Sequence, residues 1–206
     1  MPLDRLLLWL PLAVLGALLV IARLRALAMR RRGLRVMVDD HERPLADRIY
    51  DALLVAVFLF WVVLLLAEAV PLSLDWLPDW LAMRLVDVLA LKLFGAALLI
   101  AAPVLFAAAL RGMDASWRMG IDRQSPGPLV TTGLFARSRN PIYTAFDLIF
   151  LGAFLLHGRV IFLLLAVALA LLLHGIIRRE ERFLAAHFGD EFGAYCNRAG
   201  RYSPWA

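Results

Sequence analysis

The sequence predicts an all-α fold, a polytopic membrane protein with five transmembrane helices, its N-terminus out and its C-terminus cytoplasmic. Three observations predict it. Of 206 residues, 63% are hydrophobic and only 19% charged, with a mean hydropathy of +0.77. A soluble domain of this size cannot bury so much apolar surface. Five apolar runs approach the ~20 residues that a helix needs to cross a hydrocarbon core of about 30 Å. Of the 21 arginines, all but Arg5, Arg84 and Arg159 cluster at or after the ends of the first, third and fifth runs, and cationic flanks of that kind are retained on the cytoplasmic side.

The first span covers residues 6–29. Its arginines, from Arg23 and Arg25 to Arg43 and Arg48, come late in the core or after it, so it reads as a retained helix rather than a cleaved signal peptide. In the loop that follows, Asp39, Asp40, His41 and Glu42 are adjacent. Neighbouring residues rarely converge on one ion, and the stretch reads as a solvated loop with a lipid-facing basic side. The second span, 52–70, leads to a short outer connection in which Trp76 and Trp80 serve as interfacial anchors.

The third span, 85–110, carries Asp87 and Lys92, within the membrane on or near its outer half and read as a buried pair or the lining of a polar cavity rather than as catalytic. Glu68, Asp114 and His157 fall at span ends and receive no special role. The fourth span, 142–157, and the fifth, 160–177, are joined through Gly158 and Arg159, a turn tight enough to force an antiparallel hairpin. Arg5, Arg84 and Arg159 are the basic residues left on the outer side. The lone Cys196 excludes an intrachain disulfide and fits a reduced tail. Residues 1–206 form one integral membrane domain: three N-terminal helices in 1–110, then a cofactor-binding loop, the hairpin and a cytoplasmic C-terminal helix in 111–206.

The hairpin brings two polar segments to one side. The first ends in RSRNPIY, residues 137–143. Asn140 is a favourable N-cap and Pro141 suits the first helical position, so a helix N-terminus with free N–H groups faces the loop beside Arg137 and Arg139. Such an end suits an anion. In the second segment His174, Arg178 and Glu181 recur at helical spacing on one face. Leu184 and Phe188 extend that stripe, and Gly189 ends the helix. Two readings of these residues stand open. One is a helix cap with arginines at lipid headgroups and a surface ion pair; the other is a pocket for a zwitterionic, hydroxyl-bearing nucleotide such as S-adenosylmethionine.

The run LVTTGLF…RSRNPIY, followed by REERFLAAHFGDEFGAY, resembles the C-terminal half of the isoprenylcysteine carboxyl methyltransferase family, to which membrane phospholipid N-methyltransferases are related. That family has an Arg-His-Pro-x-Tyr element, a helical hairpin, and then Glu-Glu-x-x-Leu-x-x-x-Phe-Gly-x-x-Tyr-x-x-Tyr. Arg139, Pro141 and Tyr143 match the first element; Glu180, Glu181, Leu184, Phe188, Gly189 and Tyr195 match the second. Asn140 stands in place of the histidine, Phe192 in place of the first tyrosine and Leu134 where a proline is common. The resemblance runs from residue 116 onward.

This resemblance implies S-adenosyl-L-methionine as the methyl donor, bound by Leu129, Thr132, Gly133, Arg139, Asn140, Tyr143, Glu180 and Glu181. Arg139 and the Asn140 helix end would take its carboxylate, Tyr143 its methionine part, and Glu181 its ribose or amino group. Arg178, His174 and Asp147 would serve a lipidic or small hydrophobic acceptor entering from the membrane. Asp147 is the base needed if that acceptor is an amine, and an arginine suffices if it is a carboxylate. No metal or nucleic acid is implied. The expected location is a bacterial inner membrane, with the active site facing the cytoplasm. Other readings are a phospholipid amine N-methyltransferase, an NAD(P)H-dependent reductase of the sterol-reductase type, and a non-catalytic binding module.

Overall fold

In lipid, a backbone that cannot bond to water must satisfy itself, which leaves the helix as the local solution for an isolated apolar run. The computed structural model describes residues 3–34, 44–70, 72, 74–114 and 127–202, and among these the regular elements are helices. A short α1 (Leu3–Leu7) precedes α2 (Leu10–Arg31), α3 (Leu45–Ala69), α4 (Asp79–Ala82) and α5 (Leu89–Met113). After a 3₁₀ turn at Gly133–Ala136 come α6 (Pro141–His157), α7 (Val160–Phe188) and α8 (Asp190–Cys196). Asp39, Asp40, His41, Glu42, Arg35, Arg43, Arg118, Arg123 and the rest of 115–126 lie outside the described residues.

The chain is an integral membrane protein. Arg5–Arg31, Leu45–Ala69, Leu89–Met113 and Val160–Phe188 are long and apolar enough to cross a bilayer. The remaining expected span, α6, has 17 residues and so rises only about 25 Å. As expected, α7 continues past the apolar run and stops before Gly189, whose φ is +50°.

The expected start of the third span at residue 85 is corrected to Leu89, because the preceding residues are drawn into pairing with the α6–α7 turn. Leu85 N–H donates to the Gly158 carbonyl at 2.7 Å and Val160 N–H to that of Met83 at 3.0 Å. Gly158 itself is left-handed, with φ +69°. Asp87 therefore precedes the helix with its side chain 55% exposed, and it pairs with Lys92.

Helices α5 and α6 form the most extensively packed pair. They cross at Gly95 and Gly152, where a Cβ on either would come within 2.8 Å of the other's carbonyl oxygen. Small residues allow such close approach between helices in a membrane. Trp61 of α3, fully buried, meets Phe150 of α6 edge-on at 5.2 Å. Outward-facing Leu19, Leu24, Val63, Val104 and Leu171 remain exposed, as lipid-facing positions should. Trp76 and Trp80 are exposed too.

Antiparallel packing gives the bundle two ends. At one, Arg25 of α2 donates to the Asp114 carbonyl after α5 (2.7 Å), and α6 begins. At the other, α3 ends, α5 begins, and α6 turns into α7.

Candidate functional site

At the first of these ends, Asn140 occupies the position before α6 and Pro141 opens the helix. The expected cap is corrected: the Asn140 side chain makes no capping bond. It donates instead to Glu181 Oε1 at 3.3 Å and to the Arg201 carbonyl at 3.2 Å. Donation from Nδ2 to a carboxylate is charge-assisted, and α7 brings one within reach, so the side chain turns toward α7 rather than aiming Oδ1 at the first-turn N–H groups. The N–H groups of Ile142 and Tyr143, in the first turn, consequently lack a side-chain cap.

Glu181 is the centre of the cluster. Arg139 Nε donates to Glu181 Oε1 at 3.0 Å, while Arg201 places Nε and Nη2 on Oε2 at 2.9 and 2.7 Å. The side chains of Arg139 and Glu181 are each 12% exposed. Arg139 Nη1 also donates to the carbonyls of Cys196 and Ala199, and the Arg139 N–H donates to Gly200 O at 2.8 Å. The chain after α8 thus returns across the start of α6 and is tied there by an isolated bridge between Ser138 and Gly200.

The α8 segment has its own small core of Phe192, Tyr195 and Ala199, against which Leu129, Leu184 and Phe188 pack. The Tyr195 hydroxyl donates to Phe135 O at 2.7 Å, pinning α8 to the 3₁₀ turn. Burial pushes this phenol up to about 12, so it remains a donor at neutral pH. Thr132 and Gly133 are exposed at the start of that turn and do not join the Glu181 cluster.

Tyr143, one turn into α6, donates to Glu180 Oε1 at 2.7 Å. The neighbouring Arg179 turns to α3, where it pairs with Asp51 and Asp47 and lies 4.7 Å over the Tyr50 ring. Glu180 and Glu181 therefore face different partners on either side of one helix.

Nearer the membrane, His174 Nδ1 is 2.7 Å from the Tyr202 hydroxyl, with the rings stacked. Tyr202 is raised above the usual phenol range, by burial first and by the Asp147 carboxylate second. Asp147 Oδ1 is buried without a hydrogen-bond partner. Of the expected face of His174, Arg178 and Glu181, the first and last meet the returning chain. Arg178 is exposed, and its carbonyl accepts from Arg182.

Sequence reasoning brought Arg139, Asn140, Tyr143, Glu180 and Glu181 to one place, and the structure joins them there. It missed Arg201 and Tyr202, whose only signal is a basic–aromatic pair near the last residues. It also gave no role to Glu68 and His157, which are buried together at the opposite end.

A family model described as phospholipid methyltransferase matches residues 90–191, about half of the chain. No curated protein matches. Among solved structures, the chain is similar to one titled as the eukaryotic intramembrane Ras methyltransferase ICMT (isoprenylcysteine carboxyl methyltransferase), with a TM-score of 0.51 and 19% identity. The match covers 82% of this chain and 55% of that one, so this chain spans about half of that protein's length. At this identity the likeness is one of fold. The matched residues 90–191 include α6, α7 and the Arg139–Glu181 pair.

Proposed function

We propose, from the premise that through residues 90–191 the chain belongs to the phospholipid methyltransferase family, that it transfers a methyl group from S-adenosyl-L-methionine to a lipidic or membrane-partitioned acceptor. The observation that carries this reading is the meeting of the α6 start with Glu180 and Glu181 of α7 in one polar cluster at the bundle's end. A reductase finds no support in the family match.

The donor set fits the cofactor. Its carboxylate is matched by the uncapped first turn of α6 and by Arg139, and its polar hydroxyls and amine by the Tyr143–Glu180 pair and the exposed turn at Thr132 and Gly133. Leu129 packs against the Phe192, Tyr195 and Ala199 core. Glu181 is already saturated by Arg139, Asn140 and Arg201, so its role becomes positioning: it holds the Arg139 fork and the returning chain. When bound, S-adenosyl-L-methionine supplies an electrophilic methyl group on a sulfonium. The chain's own contribution is alignment and exclusion of water, which can lower a barrier by ~7–11 kcal/mol.

Asp147, His174 and Tyr202 stand where a membrane-borne acceptor meets the cluster, and Arg178 is free to orient an anionic one. The unpartnered Asp147 oxygen favours an amine acceptor, because methylation of an ammonium requires a group to take its proton. Under the positive-inside rule, the arginines flanking this end support an active site on the cytoplasmic face of a bacterial inner membrane.

A thermal-shift titration of the purified protein with S-adenosylhomocysteine and with NADPH tests the reading. Stabilisation by the first alone, lost in Arg139→Ala, is expected; stabilisation by NADPH alone would overturn it. Asp147→Asn should leave S-adenosylhomocysteine affinity unchanged and lower turnover of an amine acceptor by about 10²–10⁴-fold, the usual contribution of a general base. Unchanged turnover would remove Asp147 from the chemistry.

A further inference from the structure

The other end of the bundle contains a second polar site, roughly 30 Å from Glu181 along α7 at 1.5 Å per residue. A cavity of about 260 Å³ opens there, with Glu68, His157, Arg84, Asp87 and Lys92 among its described lining residues. The rest of that lining is leucine: Leu7 and Leu8 from the N-terminal segment and Leu156 of α6.

Two groups in this cavity are deeply buried. The His157 side chain is 0% exposed and that of Glu68 7%. Glu68 Oε1 is neutralised by Arg159 Nε at 2.6 Å. His157 stacks on Phe162 with ring centroids 4.3 Å apart; its Nδ1 lies 3.8 Å from Glu68 Oε2, beyond hydrogen-bond length, and its Nε2 has no hydrogen-bond partner. Buried polar atoms are almost always satisfied, and one left open beside a cavity calls for an occupant. The Asp87 carboxylate is held by both Lys92 and Arg84. Both cations retain spare N–H donors, since Lys92 has three and Arg84 five.

The charges identify the occupant. Arg84, Lys92 and Arg159 are three cations and Glu68 and Asp87 two anions, so with neutral His157 the cluster carries 3 − 2 = +1. Both carboxylates are already paired, leaving guanidinium, ammonium and imidazole donors to be matched. A singly charged phosphodiester neutralises that excess and supplies oxygen acceptors, and the leucine wall suits apolar chain attached to it. We propose that this cavity binds the phosphodiester of a membrane phospholipid, at a site separate from the methyl-transfer centre. The lining comes from the N-terminal segment, α3, the connection before α5, α5 itself and α6. An occupant would therefore tie these elements together and stabilise the folded state by linkage.

The test is thermal unfolding of the full-length protein in a neutral detergent with a short-chain phosphatidylglycerol, with diacylglycerol of the same chains, or with inorganic phosphate. At a phospholipid concentration a hundredfold above Kd, a Tm rise of roughly 5–10 °C is expected, with none from diacylglycerol. The rise should persist in Arg139→Ala, shrink in Arg84→Gln, whose side chain is half exposed, and vanish in the double variant Arg84→Gln with Lys92→Gln. An equal rise from inorganic phosphate would assign the same site to a free anion. An equal rise from diacylglycerol, or one undiminished in the double variant, would overturn the proposal.

Discussion

The Glu181 cluster and the Glu68 cluster, at opposite ends of the bundle, use similar side chains and differ in whether they are matched. At the Arg139 end, one carboxylate, Glu181, receives two arginines and an asparagine, and the backbone of residues 196–201 supplies further acceptors. At the Glu68 end, a carboxylate and a guanidinium pair, but an equally buried imidazole makes no hydrogen bond, its Nδ1 lying 3.8 Å from Glu68 Oε2. A closed polar network in a low-dielectric setting fixes backbone geometry, whereas an open one costs free energy until something fills it. On the readings proposed above, the first end would be a scaffold around which the cofactor is placed, and the second would itself be the receptor.

The largest effect should come from breaking the closed end. Glu181→Ala strands Arg139 and Arg201, and loss of one partner of a buried pair costs about 3–5 kcal/mol; denaturant unfolding in detergent would read it. A cost below 1 kcal/mol would show that the cluster does not hold the returning chain. Next, Arg139→Lys keeps the charge but loses the fork that reaches both Glu181 and the Cys196 and Ala199 carbonyls. With charged hydrogen bonds worth about 1.5–3 kcal/mol each, S-adenosylhomocysteine affinity should fall by about 10–100-fold by calorimetry.

A smaller loss is expected for Tyr195→Phe, which deletes only the bond to Phe135 O; about 1 kcal/mol of stability should go, with cofactor affinity weakened only slightly. The smallest effect belongs to the open end. In lipid-free detergent His157→Phe removes an unsatisfied polar ring that already stacks on Phe162, so stability should stay within about 1 kcal/mol of the parent or rise. A large loss there would show that His157 is matched after all, and the contrast between the ends would collapse.

Much of the fold is legible in the sequence because lipid makes the rule simple. Long apolar runs become helices, and Gly158 and Gly189 mark where they turn or stop. The pairing of RSRNPIY with REERFLAAHFG was readable too, since a tight hairpin must return both flanks to one side. The start of α5 was not readable. Residues 85–88 are as apolar as a helix, and only hydrogen bonds to the Gly158 turn pull them into an extended strap. Asn140 shows the same limit: its type and position indicate a cap, but a carboxylate from α7 competes for the side chain.

By itself the sequence determined the membrane setting, the helices, and the return of the Arg139–Tyr143 and Glu181 segments to one side, because these follow from hydropathy, turn chemistry and local spacing; Glu180 was singled out only by the family resemblance. The tertiary structure alone decided that Arg201 and Tyr202 return to that cluster, and that Glu68, His157 and Arg159 form a polar chamber at the other end. In helices apolar on nearly every side, hydropathy does not mark the inward face, and pairs between residues far apart in the chain are set by packing. The Gly95–Gly152 crossing and the Gly158 turn fix that packing.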